Sequence, residues 1–80
     1  MRLPRDVSGA DLAKAHIRLG YQIDHQTGSH IRMTTQRGGE HHVTVPAHDP
    51  LKVGMLNGIL RAVGQHLGME RQELLEELFG

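Results

Sequence analysis

The sequence predicts an α+β fold: the order α-β-β-β-α, a three-stranded antiparallel sheet and an extra short C-terminal helix. Apolar residues recur at helical spacing near the start and through the last third of the chain, whereas residues 21–45 alternate between apolar and polar. Short breaks, one of them the glycine-bearing loop 36–40, separate the alternating runs. Such breaks are typical of antiparallel hairpins.

The first helix is predicted over Gly9–Leu19. Ser8 precedes it as an N-cap residue, and Gly20 follows it, where a glycine ends many helices in the left-handed conformation. The apolar face of this helix consists of Leu12, Ala13, Ala15, His16, Ile17 and Leu19.

Three strands follow, and they are predicted at Tyr21–Gln26, His30–Thr35 and His41–Val45. The first alternates as a half-buried strand does. In the second, Ile31 and Met33 share one face, so the other face carries a row of polar side chains. This row consists of His30, Arg32 and Thr34.

Two helices complete the chain. The second helix follows residues 51–54 and ends at Gly68, and its predicted buried face consists of Met55, Leu56, Ile59, Leu60 and Val63. The last helix covers Glu70–Leu78 and is apolar at Leu74, Leu75 and Leu78. This is the element order of a double-stranded-RNA-binding domain, in which one sheet face packs on helices and the other is open.

Composition narrows the class of protein. Eighty residues predict one domain, 1–80, and the absence of cysteine excludes disulfides, thiolate nucleophiles and cysteine-bound zinc. With one Tyr and one Phe, the chain has few aromatic side chains on which bases could stack.

No apolar leader or membrane-length run is present, so a cytoplasmic protein is expected. Residues 69–80 hold four glutamates and Arg71, whereas 1–68 hold eight Lys/Arg and five Asp/Glu, a mildly basic body compatible with RNA.

The polar row on the second strand has the chemistry for acting on a phosphodiester. The imidazole of His30 can move a proton near neutral pH, and the guanidinium of Arg32 can hold phosphate oxygens. RNA supplies its own nucleophile, the 2′-hydroxyl, so neither a metal nor an enzyme nucleophile is needed. The alternative is that both residues are ordinary solvated strand residues.

The other histidines also allow a metal site to be considered. His41 and His42 are adjacent, so a strand sends them to opposite faces; His30 and His48 are the remaining candidate ligands. No HxH or helical HxxxH spacing is present, and a structural or titrating role is the preferred interpretation. His25 and His48 are weaker candidates for the mouth of the His30 site.

Several motifs resemble the HicA (YcfA-like) toxin family, from about Ser8 to about Gly68. They are Gly20-Tyr21, Gly28-Ser29-His30, Val43-Thr44-Val45-Pro46-Ala47-His48, Leu51-Lys52-Val53-Gly54-Met55-Leu56 and Ile59-Leu60-Arg61. The chain departs from the family pattern at Ile31-Arg32-Met33, where a further His and an aromatic are common, and at Met55, where threonine is usual.

The resemblance implies the toxin of a type II toxin–antitoxin pair, an mRNA interferase with the fold of a double-stranded-RNA-binding domain. It implies His30 as the catalytic residue, an mRNA substrate and a HicB-type antitoxin that covers the active face, with no cofactor. Gly28, Ser29 and Arg32 are the candidate RNA-binding residues, with Arg32 holding the phosphate and Ser29 orienting it. The alternatives are a non-catalytic RNA-binding module and an antitoxin-docking module of the same fold.

Overall fold

The structure is a computed structural model that describes residues 3–80, and it confirms the predicted α+β order. Its helices are α1 (Gly9–His16), α2 (Val53–Leu67) and α3 (Arg71–Phe79), and its strands are β1 (Gln22–Gln26), β2 (His30–Thr35) and β3 (His41–Pro46). A 3₁₀ turn, Ile17–Leu19, continues α1. The sheet order is β1-β2-β3, and both pairings are antiparallel.

Strand β2 lies in the middle of the sheet and shows the predicted alternation. Ile31, Met33 and Thr35 are buried against the helices, whereas His30 and Arg32 are exposed. Strand β3 repeats the pattern, since its two valines are buried and the residue between them, Thr44, is exposed. The face that carries the polar row is therefore open, and we call it the open face.

The prediction that the first strand is half-buried is wrong. All five residues of β1 are exposed, and Ile23 retains 38% of its accessible surface. The burial falls instead on Tyr21, which lies just before the strand and is 1% exposed. Strand β1 is an edge strand, and its pairing with β2 is interrupted by a bulge between Ile23 and His25.

Two residues predicted on buried helix faces are exposed. Ile17 is 56% exposed because α1 tightens there into a 3₁₀ turn, which changes the helical period that the prediction assumed. Met55 is 46% exposed in the first turn of α2, and Leu56 is the first residue of that helix to be buried.

Glycine at position 9 brings α1 against the end of β3. A Cβ built on Gly9 would collide with the carbonyl oxygen of Pro46, so no other residue fits without a backbone shift. The Gly9 amide also donates to the carbonyl of His48 at 2.9 Å. The start of α1 is thereby fixed to the loop that follows β3.

Helix α3 closes the helical layer. Leu74, Leu75 and Leu78 are buried in the same core as the sheet residues, as the sequence predicts. Arg18, in the 3₁₀ turn, donates from Nη1 to the carbonyl of Gly80 at 3.3 Å. The acidic helix is thus part of the core, with its glutamates on the exposed side.

Histidines line one end of the core. His16 is fully buried; its Nδ1 lies 2.7 Å from the carbonyl of Leu12, to which it donates, and its Nε2 has no hydrogen-bond partner among the described residues. Its ring meets Tyr21 edge-to-face, with ring centroids 5.5 Å apart. The hydroxyl of Tyr21 lies 2.7 Å from Nδ1 of His41, and His41 stacks on His66 at 4.2 Å.

This arrangement predicts a protein that loses stability in mild acid. Burial lowers the pKa of His16, and burial, followed by the charges of His66 and His42, lowers the pKa of His41. The unfolded chain therefore binds more protons than the folded chain once the pH falls below the ordinary histidine value of about 6.5. The free energy of unfolding should be greatest above that pH and should fall over the interval below about pH 6.5.

Denaturant unfolding at a series of pH values measures this dependence, with His16→Phe beside the wild type. The variant should show a shallower slope over the same interval, whatever its stability at neutral pH. An unchanged slope would mean that His16 does not carry the effect.

Candidate active site on the open face

A tight turn between β1 and β2 places His30. Thr27 Oγ1 accepts hydrogen bonds from the backbone amides of Ser29 at 3.3 Å and His30 at 3.1 Å, and the Thr27 amide donates to the carbonyl of His30 at 2.9 Å. Threonine hydroxyls commonly stabilise turns in this way. His30 is thereby fixed as the first residue of the central strand.

The end of β3 supports the turn from the other side. His30 pairs with Pro46, and the Ala47 amide donates to the carbonyl of Ser29 at 2.9 Å. The next residue, His48, accepts from Gly9. The predicted Gly-Ser-His motif, the end of β3 and the start of α1 therefore meet at one end of the sheet.

The His30 side chain is exposed, and one of its ring nitrogens has a neighbour. Nδ1 lies 3.0 Å from Ser29 Oγ, whereas Nε2 has no hydrogen-bond partner in the part of the chain that is described. Ser29 therefore orients the imidazole through its hydroxyl. The backbone amide of Ser29 is already bonded to Thr27, so it is not free to orient a phosphate as the sequence analysis expects of Ser29.

Arg32 lies on the same face but is paired with a carboxylate. Its Nε donates to Oδ1 of Asp24 at 3.1 Å and its Nη2 to Oδ2 at 3.3 Å, while half of its side-chain surface stays accessible. The hydrogen bond from Arg32, followed by that from Thr34, lowers the pKa of Asp24, and the same carboxylate raises the pKa of Arg32. Since a guanidinium has five N–H donors, others remain for a ligand.

Thr34 extends this contact to β3. Its hydroxyl donates to Oδ2 of Asp24 at 2.6 Å, so its only proton is committed, and the 2.7 Å contact with His42 Nδ1 requires the histidine to donate. On the other side of that ring, Nε2 lies 3.3 Å from Oε2 of Glu40. The bond from Gln36 and then that from His42 lower the pKa of Glu40. The polar network of Asp24, Arg32, Thr34, His42 and Glu40 thus crosses all three strands.

The sequence prediction missed Asp24. The residue pairs that flank it are Ile23 with Met33 and His25 with Arg32, so Asp24 is the extra residue of the bulge. Two signals could have found it. Aspartate is disfavoured inside strands, and an Asp on one strand of a hairpin suits an Arg on the next.

The remaining candidates lie around this network. His25 pairs with Arg32 and so shares its face, because opposed residues of an antiparallel pair point the same way; its side chain is exposed, as is that of His48. A Cβ on Gly28 would meet no atom within 4 Å, so the turn leaves open space there. Within residues 3–80, no three His, Asp or Glu side chains are grouped to hold a metal ion.

Comparison with known proteins identifies the family. The model of the family described as HicA toxin of bacterial toxin-antitoxin matches residues 9–65, from the start of α1 into α2. The chain belongs to the HicA toxin family, whose members are toxins of toxin–antitoxin systems and act with an antitoxin partner. No curated protein and no solved structure gave a match. Among residues 3–80, no helix is long and apolar enough to cross a membrane.

The hydrogen bonds of the Thr27 hydroxyl are expected to stabilise the turn that positions His30. Thr27→Val keeps the branched shape but removes the acceptor of two backbone amides, so it should cost about 1 kcal/mol of stability. Amide hydrogen exchange at Ser29 and His30 should also become faster. Thr27→Ser, which keeps the hydroxyl, is the matched control, and equal exchange rates in both variants would contradict the assignment.

Proposed function

We propose that the protein is an mRNA interferase, an endoribonuclease that cleaves RNA without a metal ion and uses His30 as general acid or base. The observation that supports this most strongly is the exposure and hydrogen bonding of the His30 side chain. Its imidazole is exposed on the open face, oriented through Nδ1 by Ser29, and has no partner at Nε2 among the described residues. A group that moves protons needs such an oriented but unoccupied nitrogen.

The reaction follows from the chemistry of RNA. The 2′-oxygen attacks the adjacent phosphorus, a new 2′-O–P bond forms, and the P–O5′ bond breaks, giving a cyclic phosphate and a 5′-hydroxyl. As base, His30 takes the proton of the 2′-hydroxyl, and water protonates the departing 5′-oxygen. As acid, His30 protonates the 5′-oxygen, and water takes the proton of the 2′-hydroxyl. One imidazole positioned in this way contributes roughly 10²- to 10⁴-fold to the rate.

The other site residues bind the substrate or orient the imidazole. The N–H groups of Arg32 that Asp24 does not occupy hold the non-bridging phosphate oxygens, and Ser29 keeps the imidazole aimed. Gly28 contributes by its lack of a side chain, which leaves room for the RNA backbone at the turn.

The antitoxin partner, of the HicB type, covers the open face and so blocks access to His30.

Cleavage of a long mRNA by purified protein in the presence of a chelator tests the proposal. Wild type should cut, and His30→Ala should lose at least about 100-fold in rate. His25→Ala is the matched control, because it removes an exposed imidazole from the same face, and it should lose no more than a few-fold.

Equal cutting by wild type and His30→Ala would reject His30, and loss only in His25→Ala would transfer the role to that residue. If no protein cuts, the nuclease proposal fails. Salt-sensitive RNA binding would then indicate an RNA-binding module, and antitoxin binding without RNA affinity would indicate a docking module.

A further inference from the structure

The carboxylate of Asp24 is held by three donors on the neighbouring strand. Arg32 supplies two of them, Nε at 3.1 Å and Nη2 at 3.3 Å, and the hydroxyl of Thr34 supplies the third at 2.6 Å. A carboxylate bound at both oxygens cannot rotate without breaking one of these bonds. Its orientation is therefore set by the sheet.

The contact fixes which edge of the Arg32 guanidinium faces the protein. The Nε–Nη2 edge is bound to Asp24, so the N–H groups of Nη1 and the second N–H of Nη2 are left for another acceptor. The guanidinium is planar and rigid, so holding one edge also sets the direction of the other. Half of the Arg32 side chain remains accessible, which leaves room for a phosphate.

The support for Asp24 reaches the far strand. Thr34, which donates to Asp24, accepts from His42, and His42 in turn contacts Glu40. A chain of hydrogen bonds therefore runs from β3 through Thr34 on β2 to the Asp24 carboxylate on β1. A simple exposed ion pair lacks such hydrogen bonds to a further strand and is held only weakly.

We propose that Asp24 is a positioning residue that aims the free edge of Arg32 at the scissile phosphate of RNA. The inference rests on the proposed nuclease function for the identity of the ligand. The opposite role for Asp24 is restraint of Arg32, in which the carboxylate competes with the phosphate for the guanidinium. The two accounts differ in sign: positioning makes Arg32 more useful when Asp24 is present, and restraint makes it less useful.

A double-mutant cycle measures that sign. Wild type, Asp24→Asn, Arg32→Ala and the double variant are compared for kcat and KM on one RNA, with Glu73→Gln on α3 as a control for the loss of one exposed negative charge. Asp24→Asn should lower kcat roughly tenfold or more, because the guanidinium of Arg32 is no longer held in its orientation. KM should not rise, because the substitution also removes a negative charge that repels RNA. Once Arg32 is Ala, Asp24→Asn should have almost no further effect.

The same cycle is repeated for RNA affinity in the His30→Ala background, so that it does not depend on cleavage. Arg32→Ala should weaken RNA binding less in the Asp24→Asn protein than in the protein that retains Asp24. The NMR signal of the Arg32 Nε–H should also shift and exchange faster in Asp24→Asn. Failure of the wild type to cut rejects the nuclease proposal, but this binding cycle still decides the role of Asp24.

Four outcomes would overturn the inference. A higher kcat/KM in Asp24→Asn than in the wild type would establish restraint. So would a larger effect of Arg32→Ala on kcat or RNA affinity in the Asp24→Asn protein than in the protein that retains Asp24. Additive effects of the two substitutions on kcat and on affinity would mean that the residues act independently. An Nε–H signal unaffected by Asp24→Asn would mean that the salt bridge is not maintained in solution.

Discussion

The alternation of β2, paired on both sides, is the constraint on which the rest of the structure depends. Because successive side chains point to opposite faces, the same six residues bury Ile31 and Met33 in the core and present His30 and Arg32 outward. A slip of one residue would exchange the two sets. Burial of the apolar pair under the helices therefore also fixes which side chains the open face displays.

Two kinds of support keep those side chains in place. At the start of β2, the turn that carries His30 is fixed by bonds to Thr27 and to the loop after β3, which is itself bonded to the start of α1. Along the middle of the sheet, the polar network ties the three strands together through Asp24 and Thr34. An exposed imidazole and a partly occupied guanidinium consequently share one face, and this combination suits an RNA phosphodiester.

Much of the fold and the position of His30 could be predicted because both depend on local pattern. Period-two alternation and glycine-bearing turns located the strands, and the Gly-Ser-His motif directed attention to residue 30. The bulge in β1 could not be read from the pattern, because it depends on the pairing of Ile23 and His25 across the sheet. The contact of Asp24 with Arg32 depends on that bulge, although an aspartate inside a strand was a signal that the sequence analysis did not use. Exposure of β1 also depends on which strands the helices cover, a tertiary property that alternation alone does not encode.

The proposed mechanism requires that RNA supplies the nucleophile and that His30 moves the proton. The most direct measurement places a single 2′-deoxynucleotide immediately 5′ of a mapped cleavage site and compares it with the all-ribose RNA. If the 2′-hydroxyl is the nucleophile, cutting at that bond disappears while other sites are still cut, and the all-ribose products carry 2′,3′-cyclic phosphate and 5′-hydroxyl ends. Continued cutting at the deoxy position, or 5′-phosphate ends, would require a different nucleophile and would contradict the mechanism.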